Sequence, residues 1–320
     1  MICSSAYEGV MTKKVAVIGA GFAGLALSWY LRHLDVHVDL YDAKEVGAGA
    51  SGVASGLVHP YPGEKARRSM YAADALQETK KLLSVAQNFV QEPVANYCGI
   101  LRQVSAELLP CFQRHSIEYR DVQFMQENLF CIVSGIVVYA KQYMRGLFLA
   151  CKKLGVTWHQ HNIESLQPLE GYHATIFAIG AGIFAFPEAK TLSLYPVKGQ
   201  TLLCQAPQRM ERPILGKGHI IPHESSLVHI GATYEREVLD ETPNIQMARK
   251  DLFVKAHGLM PHWDDLEVYD CFAGIRVTSL KHYTPTCCKI RERLFVMTSL
   301  GSRGLLYHAY FAKQLALSIA

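Results

Sequence analysis

Three glycines near the start of the chain have the spacing that phosphate recognition needs. Gly19, Gly21 and Gly24 stand in the run Gly-Ala-Gly-Phe-Ala-Gly, and Asp42 lies a little over twenty residues further on. Gly19 suits a tight turn. Gly21 lets backbone approach a pyrophosphate, and Gly24 lets a helix close onto the preceding strand. The N–H groups of Phe22 and Ala23 then belong to the first turn of that helix, where unpaired donors and the helix dipole attract anions. A carboxylate at Asp42 accepts ribose hydroxyls and repels a ribose phosphate. A second stretch, GAGASGVASG at 47–56, is dense in small residues, lets backbone pass close to a flat ligand and offers the Ser51 hydroxyl to phosphate. These features predict a bound dinucleotide. The fingerprint by itself leaves NAD and FAD open.

The surrounding elements fit that reading. Residues 15–18 are an apolar run suited to a buried parallel strand, a helical stretch follows to about His33, and 36–41 reads as a second strand. Together they form a βαβ unit. Helical spacing is expected over 66–89 and 141–154, the latter stopped by Gly155. Strands are expected at 135–139, 156–161 and 174–179, the last running into Gly180-Ala181-Gly182. From Thr201 the pattern shortens, with strands expected at 201–205, 219–221, 227–232 and 266–272. A strand at 294–298 and a helix at 304–319 close the chain, and 92–130 carries no clear period. The expected class is α/β: a Rossmann-type dinucleotide domain (11–90, 136–198 and 272–320) with an inserted antiparallel-sheet substrate domain (91–135 and 199–271).

Composition narrows the alternatives. Half of the 320 residues are apolar and 19% are charged, which excludes a disordered or coiled-coil protein. A net charge of +4 is too small to predict nucleic-acid binding. Nine dispersed cysteines with no CxxC pair point to a reducing, cytoplasmic setting. The uncharged run at 174–186 is too short to span a bilayer. Lys13-Lys14 followed by 15–31 imitates a signal peptide, but its glycines carry the fingerprint; the first ten residues read as a loose lead-in. His159 and His161 are expected on one strand face without a third ligand, so no metal site is predicted. Basic clusters at Lys65/Arg67/Arg68, Lys152/Lys153 and Lys289/Arg291/Arg293 read as scattered surface charge.

A family resemblance follows from several motifs in order. GAGFAG, Asp42 and ASGVASGLVHP (50–60) resemble the amino-terminal pattern of the FAD-dependent D-amino-acid-oxidase-like family, which includes glycine oxidase, sarcosine oxidase and D-amino-acid dehydrogenase. The segment 135–155, IFAIGAG (176–182), PVKGQ (196–200), GATYE (231–235), GIR (274–276) and LGSRGLLYHA (300–309) resemble later landmarks of that family. LGSRGL with PVKGQ is similar to the oxidase half of the bifunctional enzyme that completes the methylaminomethyl-uridine modification of tRNA. Two positions depart from the family: His282 and Cys288 stand where an Asp and a Gly are usual around Pro285.

The resemblance implies a glycine-oxidase-like fold, FAD as cofactor, and hydride removal from the carbon next to an amine. It places Ala50, Ser51, Gly52, Gly56, Leu57 and Gly180 against the cofactor. It also sets Gly301, Ser302, Arg303, Gly304 and Leu305 at the pyrimidine edge of the flavin. Arg276 becomes the clamp on a substrate carboxylate; on residue type alone a surface ion pair explains it as well. Arg303 is expected to reinforce the helix start or to enter the substrate cleft. His59 is expected near the flavin ring as a base or as a structural histidine, with Tyr307 and His308 as further pocket candidates. The expected substrate is an amino acid or an N-substituted glycine. The alternative is the carboxymethylaminomethyl group of a tRNA uridine. A rival of another class is a non-catalytic flavin-binding assembly or regulatory protein.

Overall fold

The computed structural model describes residues 13–62, 67–223, 226–263, 265–280 and 284–320. Four consecutive buried apolar residues make β1 (Lys14–Ile18) a central parallel strand. It leads through the glycine turn to α1 (Phe22–Arg32) and β2 (His37–Asp42). Next come β3 (Leu57–Val58), α2 (Ala72–Gln87), β4 (Ala95–Asn96), β5 (Ile100–Gln103), α3 (Leu109–Glu118), β6 (Val122–Gln126), β7 (Leu129–Ile132) and β8 (Ile136–Val138). The middle of the chain holds α4 (Ala140–Lys153), β9 (Thr157–Gln160), β10 (Ala174–Phe177), β11 (Leu194–Gln205), β12 (Ile214–Leu215), β13 (His219–Pro222), β14 (Leu227–Gly231) and β15 (Glu235–Arg236). It ends with α5 (Ile245–Leu259), β16 (Val268–Ser279), β17 (Thr286–Arg291), β18 (Leu294–Thr298) and α6 (Gly304–Ile319).

Two large sheets result. The first has the order β17-β18-β10-β1-β2-β9 and is parallel except for β17 at its edge. Helices α1, α2, α4 and α6 cover one face through a core that includes Leu25, Leu82, Tyr143 and Leu306. On the other face Phe177, Ile183 and Phe186 form a separate cluster. This is the Rossmann-type domain. The second sheet runs β15-β11-β14-β13-β12-β5-β7-β6, with β16 paired to β11. Helix α5 packs on it through Ala248, Leu252 and Ala256. Phe112 of α3 joins Tyr61 and Phe130 in a further cluster.

Several expectations change in detail. The helix expected at 66–89 spans Ala72–Gln87, because the Ser69 amide donates to Pro60 O (2.7 Å) instead of starting a turn, and Tyr71 adopts a left-handed φ of 56°. Ala66 and Lys65 lie outside the described residues, as do His282 and the first ten residues. The strand expected at 201–205 is the second half of β11, and that at 266–272 overlaps the first half of β16. Both strands run through the expected domain boundaries. His159 and His161 part company: β9 stops at Gln160, His159 stacks on Tyr41 beside Asp39, and His161 turns to the cleft. Among the described residues no group of three ligand-type side chains is suited to a metal. None of the described cysteines is in a disulfide. No described helix is long and apolar enough to cross a membrane.

Candidate active site

A cleft of ≈ 1380 Å³ runs between the two sheets. That exceeds the roughly 300–1,000 Å³ typical of a single small-ligand pocket, so a dinucleotide and a second ligand both fit. Its floor at one end is the β1–α1 turn. Gly19 has φ +103°, a value that favours glycine, and its N–H donates to Tyr41 O (2.7 Å). No side chain caps α1 at Gly21. The Phe22 amide reaches Ser51 Oγ at 3.3 Å, and a Cβ on Gly21 would stand 2.8 Å from the same oxygen. Asp42 sits at the end of β2, its carboxylate accepting from the amides of Ala20 (2.7 Å) and Lys44 (3.0 Å). Amide donors at the start of α1 and a carboxylate at the end of β2 therefore share one end of the cleft, an arrangement that suits a dinucleotide.

Gly19, Gly21, Phe22, Ala23 and Asp42 all line this cleft, as do Ala50, Ser51, Gly56, Leu57 and Gly180. Gly24 and Gly52 do not. A Cβ on Gly24 would run into Gly19 O, and one on Gly52 into Gly47 O, so both permit close backbone packing behind the wall. At the other end a short 3-10 turn, Gly301–Arg303, leads directly into α6. Gly301, Ser302, Gly304 and Leu305 face the cleft, with the helix start pointing at it. These residues fit FAD: the uncapped α1 start would hold its pyrophosphate, the 47–57 loop would cover its ring, and the α6 start would face the ring edge.

Three expected residues lie elsewhere. Arg303 is absent from the cleft wall; its guanidinium lies over the Tyr307 ring at 5.5 Å. Tyr307 and His308 are fully buried, because α6 packs against α1 and α2 through this first turn. Tyr307 donates to Met70 O (3.0 Å). His308 Nδ1–H donates to Leu305 O (3.0 Å), which leaves Nε2 to accept from the Tyr143 hydroxyl (2.6 Å). Of the described basic-cluster residues none lines the cleft; Arg68, for one, stacks on Tyr119.

The opposite wall of the cleft is built on the second sheet. Arg276 on β16 pairs opposite Val197 of β11, and its guanidinium lies over Gly199. A Cβ there would be 2.5 Å from Nη2. Nη2 donates to Thr233 O (3.3 Å), and the group lies 5.7 Å from the Tyr234 ring centre. Burial pulls the Arg276 pKa down, with Tyr234 acting against it. An arginine so shifted still carries its charge at neutral pH.

Thr233 is itself held. Its hydroxyl accepts from the Gln200 amide (2.9 Å) and donates to Glu235 Oε1 (2.7 Å), which also accepts from Gln200 Nε2 (2.8 Å). Gln200 Oε1 accepts from the Asn244 amide (2.6 Å). PVKGQ and GATYE are thus the two halves of one buried network behind Arg276. Sequence reading found both motifs but not their connection, which depends on strand register.

Besides His161, two histidines line the cleft, His59 and His219. His59 Nδ1 accepts from the Tyr61 amide (3.3 Å). Burial, with Arg102 and His219 adding to it, lowers its pKa to about 3. His219 on β13 lies over Gly231, and its Nε2 shares a hydrogen bond with Ser55 Oγ (2.9 Å). Burial, with Arg276, His229 and Lys255, lowers its pKa to about 3. Both rings are neutral at neutral pH. His219 was not singled out from sequence; its only local signal is a place in an alternating strand.

Comparison with known proteins agrees with this geometry. Residues 14–317 match the DAO family of FAD dependent oxidoreductases. A tRNA 5-methylaminomethyl-2-thiouridine biosynthesis bifunctional protein from Campylobacter jejuni subsp. doylei is 24% identical over 249 residues, covering 73% of this chain and 39% of the relative. The chain thus spans about two-fifths of the length of that relative. Among solved structures, glycine oxidase from Geobacillus kaustophilus superposes with a TM-score of 0.82 at 20% identity, covering 96% of this chain and 95% of the other. L-alpha-glycerophosphate oxidase from Mycoplasma pneumoniae, with FAD bound, gives 0.79 at 14% identity, covering 96% and 94%. With the family matched over nearly the whole described chain and a cleft built for its cofactor, the chain belongs to the DAO family of FAD-dependent oxidoreductases.

Proposed function

We propose that the chain oxidises the C–N bond of a small amine that carries a carboxylate, an amino acid or an N-substituted glycine. The observation that carries this reading is the half-buried Arg276 guanidinium in the cleft wall, beside the end of the cleft that suits a flavin ring. Its planar fork matches a carboxylate, and orientation by two parallel hydrogen bonds is what brings a reacting carbon within range. FAD, when bound, accepts the hydride that leaves the carbon next to nitrogen, and water then hydrolyses the imine. The protein's own part is positional and electrostatic. Arg276 would hold the carboxylate, Thr233 and Glu235 would keep that guanidinium in place, and neutral His59 and His219 would favour the uncharged amine.

The name of the Campylobacter relative favours a second reading, in which the same N-carboxymethyl unit is carried by a tRNA uridine. Both readings use Arg276 alike. Anaerobic mixing of the FAD-loaded protein with glycine, sarcosine, D-amino acids and carboxymethylaminomethyl-bearing tRNA tests them. Bleaching of the flavin absorbance is expected with at least one. No bleaching with any of these substrates would return the chain to the non-catalytic alternative.

A further inference from the structure

An exposed tyrosine stands beside the clamp. Tyr234 lines the cleft, is 53% exposed, and its ring centre lies 5.7 Å from the Arg276 guanidinium. A lone exposed tyrosine is ordinary on a protein surface. This one is mounted on a fixed base. Thr233 before it and Glu235 after it are hydrogen-bonded to each other, and both bond to Gln200 of β11. Thr233 O also accepts from Arg276. The backbone that carries the ring is therefore set by the same network that sets the guanidinium.

A second cation follows from register. Arg276 pairs with Val197, and Val197 with Arg236. Paired residues share a sheet face. Gly199 and Thr201, at alternate positions from Val197, line the cleft, so this row is on the cleft side. Arg236 thus stands two strands from the clamp, on β15, which ends the sheet. It is exposed, and its guanidinium lies 5.7 Å from the Tyr234 ring centre. Flush stacking needs about 4 Å, so neither arginine lies flat against the ring, and more than half of Tyr234 stays open to a ligand. An aromatic face between a carboxylate clamp and an outer cation suits a ligand that carries, in order, a carboxylate, a planar ring and a phosphate. Unstacked bases bind on tyrosine rings in this way.

We propose that Tyr234 is a specificity-determining residue: it stacks the pyrimidine base of a ligand held by its carboxylate at Arg276, and Arg236 meets the phosphate on that base's ribose. The proposal rests on the second reading of the function and gives it a recognition surface. The preferred substrate is then an N-carboxymethyl amine borne by a nucleotide and not a free amino acid.

The test is calorimetric titration of the FAD-loaded protein with thioether acids, in which sulfur replaces the amine so that no C–N bond can be oxidised and binding is read apart from turnover. The acetate carries a methylthio, a cyclohexylmethylthio or a uracilylmethylthio group, the last as free base, nucleoside and nucleoside monophosphate. The uracilyl acid is expected to bind at least about fivefold tighter than the cyclohexylmethyl acid, the lower end of what a base–aromatic stack contributes. Y234L, which keeps apolar bulk, is expected to bring that ratio close to one, and Y234F to preserve it. The monophosphate is expected to bind tighter than the nucleoside, a gain that R236Q removes. Equal binding of the uracilyl and cyclohexylmethyl acids in the unmodified protein overturns the proposal without any variant and marks the ring as a plain apolar cover. So does a Y234L protein that weakens every acid equally, the mark of a tyrosine that only supports Arg276. A phosphate gain that survives R236Q overturns the assignment of Arg236. Uracilyl preference in a protein whose flavin no amine bleaches would sink the oxidation reading and leave the stack standing.

Discussion

A methyl group on Gly199 would stand 2.5 Å from the Arg276 guanidinium, so G199A must displace that guanidinium, the proposed carboxylate clamp, without touching the β1–α1 end of the cleft. The expected outcome is at least a tenfold weaker affinity for a carboxylate ligand at unchanged flavin content, read by calorimetry and absorbance. R276Q should do more. Losing one partner of a buried charge-assisted pair costs about 2–5 kcal/mol, a loss of tens- to thousands-fold. Arg276 and Gly199 sit in separate motifs, GIR and PVKGQ, and the sequence shows each without showing that one makes space for the other. His219 was illegible for a related reason: its hydrogen bond to Ser55 joins residues far apart in the chain, and no local period encodes that contact.

At the scale of elements, the β1–α1 turn was legible because every requirement is local: an apolar strand, three glycines, a helix and an acid. Helix α6 and β18 were read to the residue for similar reasons. Helix α5 was missed. Its buried residues Ala248, Leu252, Ala256 and Leu259 are few and half of them are alanine, set among lysines, arginine and aspartate in a region whose strand texture dominated. The packing of α1 on β1 leads to a firm expectation. G24A pushes a methyl into Gly19 O, separating helix from strand. Such a protein should lose bound FAD and melt several degrees lower. The Gln200–Thr233–Glu235 network is tested differently. E235A should raise KM for a carboxylate-bearing amine roughly five- to tenfold with a smaller change in kcat, while E235Q, which keeps an accepting oxygen, should restore most of it.

For the whole molecule, pH is the informative variable. Burial holds four histidines neutral in the folded chain: His59 and His219 at about 3, His229 and His308 at about 4. Unfolded, each titrates near 6.5. Below that value the unfolded chain gains protons that the folded one cannot, so stability falls as pH drops from 6.5 toward 4 and is insensitive to these groups above it. Asp39 adds a later step. Burial raises its pKa, but hydrogen bonds from Tyr172, Lys14 and His159 outweigh that and lower it to about 2, so its stabilisation is lost only as pH falls from the usual carboxylate range toward 2. The melting temperature should drop by at least about 5 °C between pH 7 and pH 5. H229F should flatten the drop, since Nδ1 of His229 has no hydrogen-bond partner among the described residues.

Strands β11 and β16, twelve residues each, pair from Leu194 and Ser279 at the Rossmann-type sheet to Cys204 and Val268 beneath α5. This ladder is a girder laid across both halves of the protein. A clamshell motion would have to break its rungs, so ligand traffic falls to the loops at the mouth of the cleft. Flavin exchange with bulk solution should then keep pace with global unfolding and not with turnover.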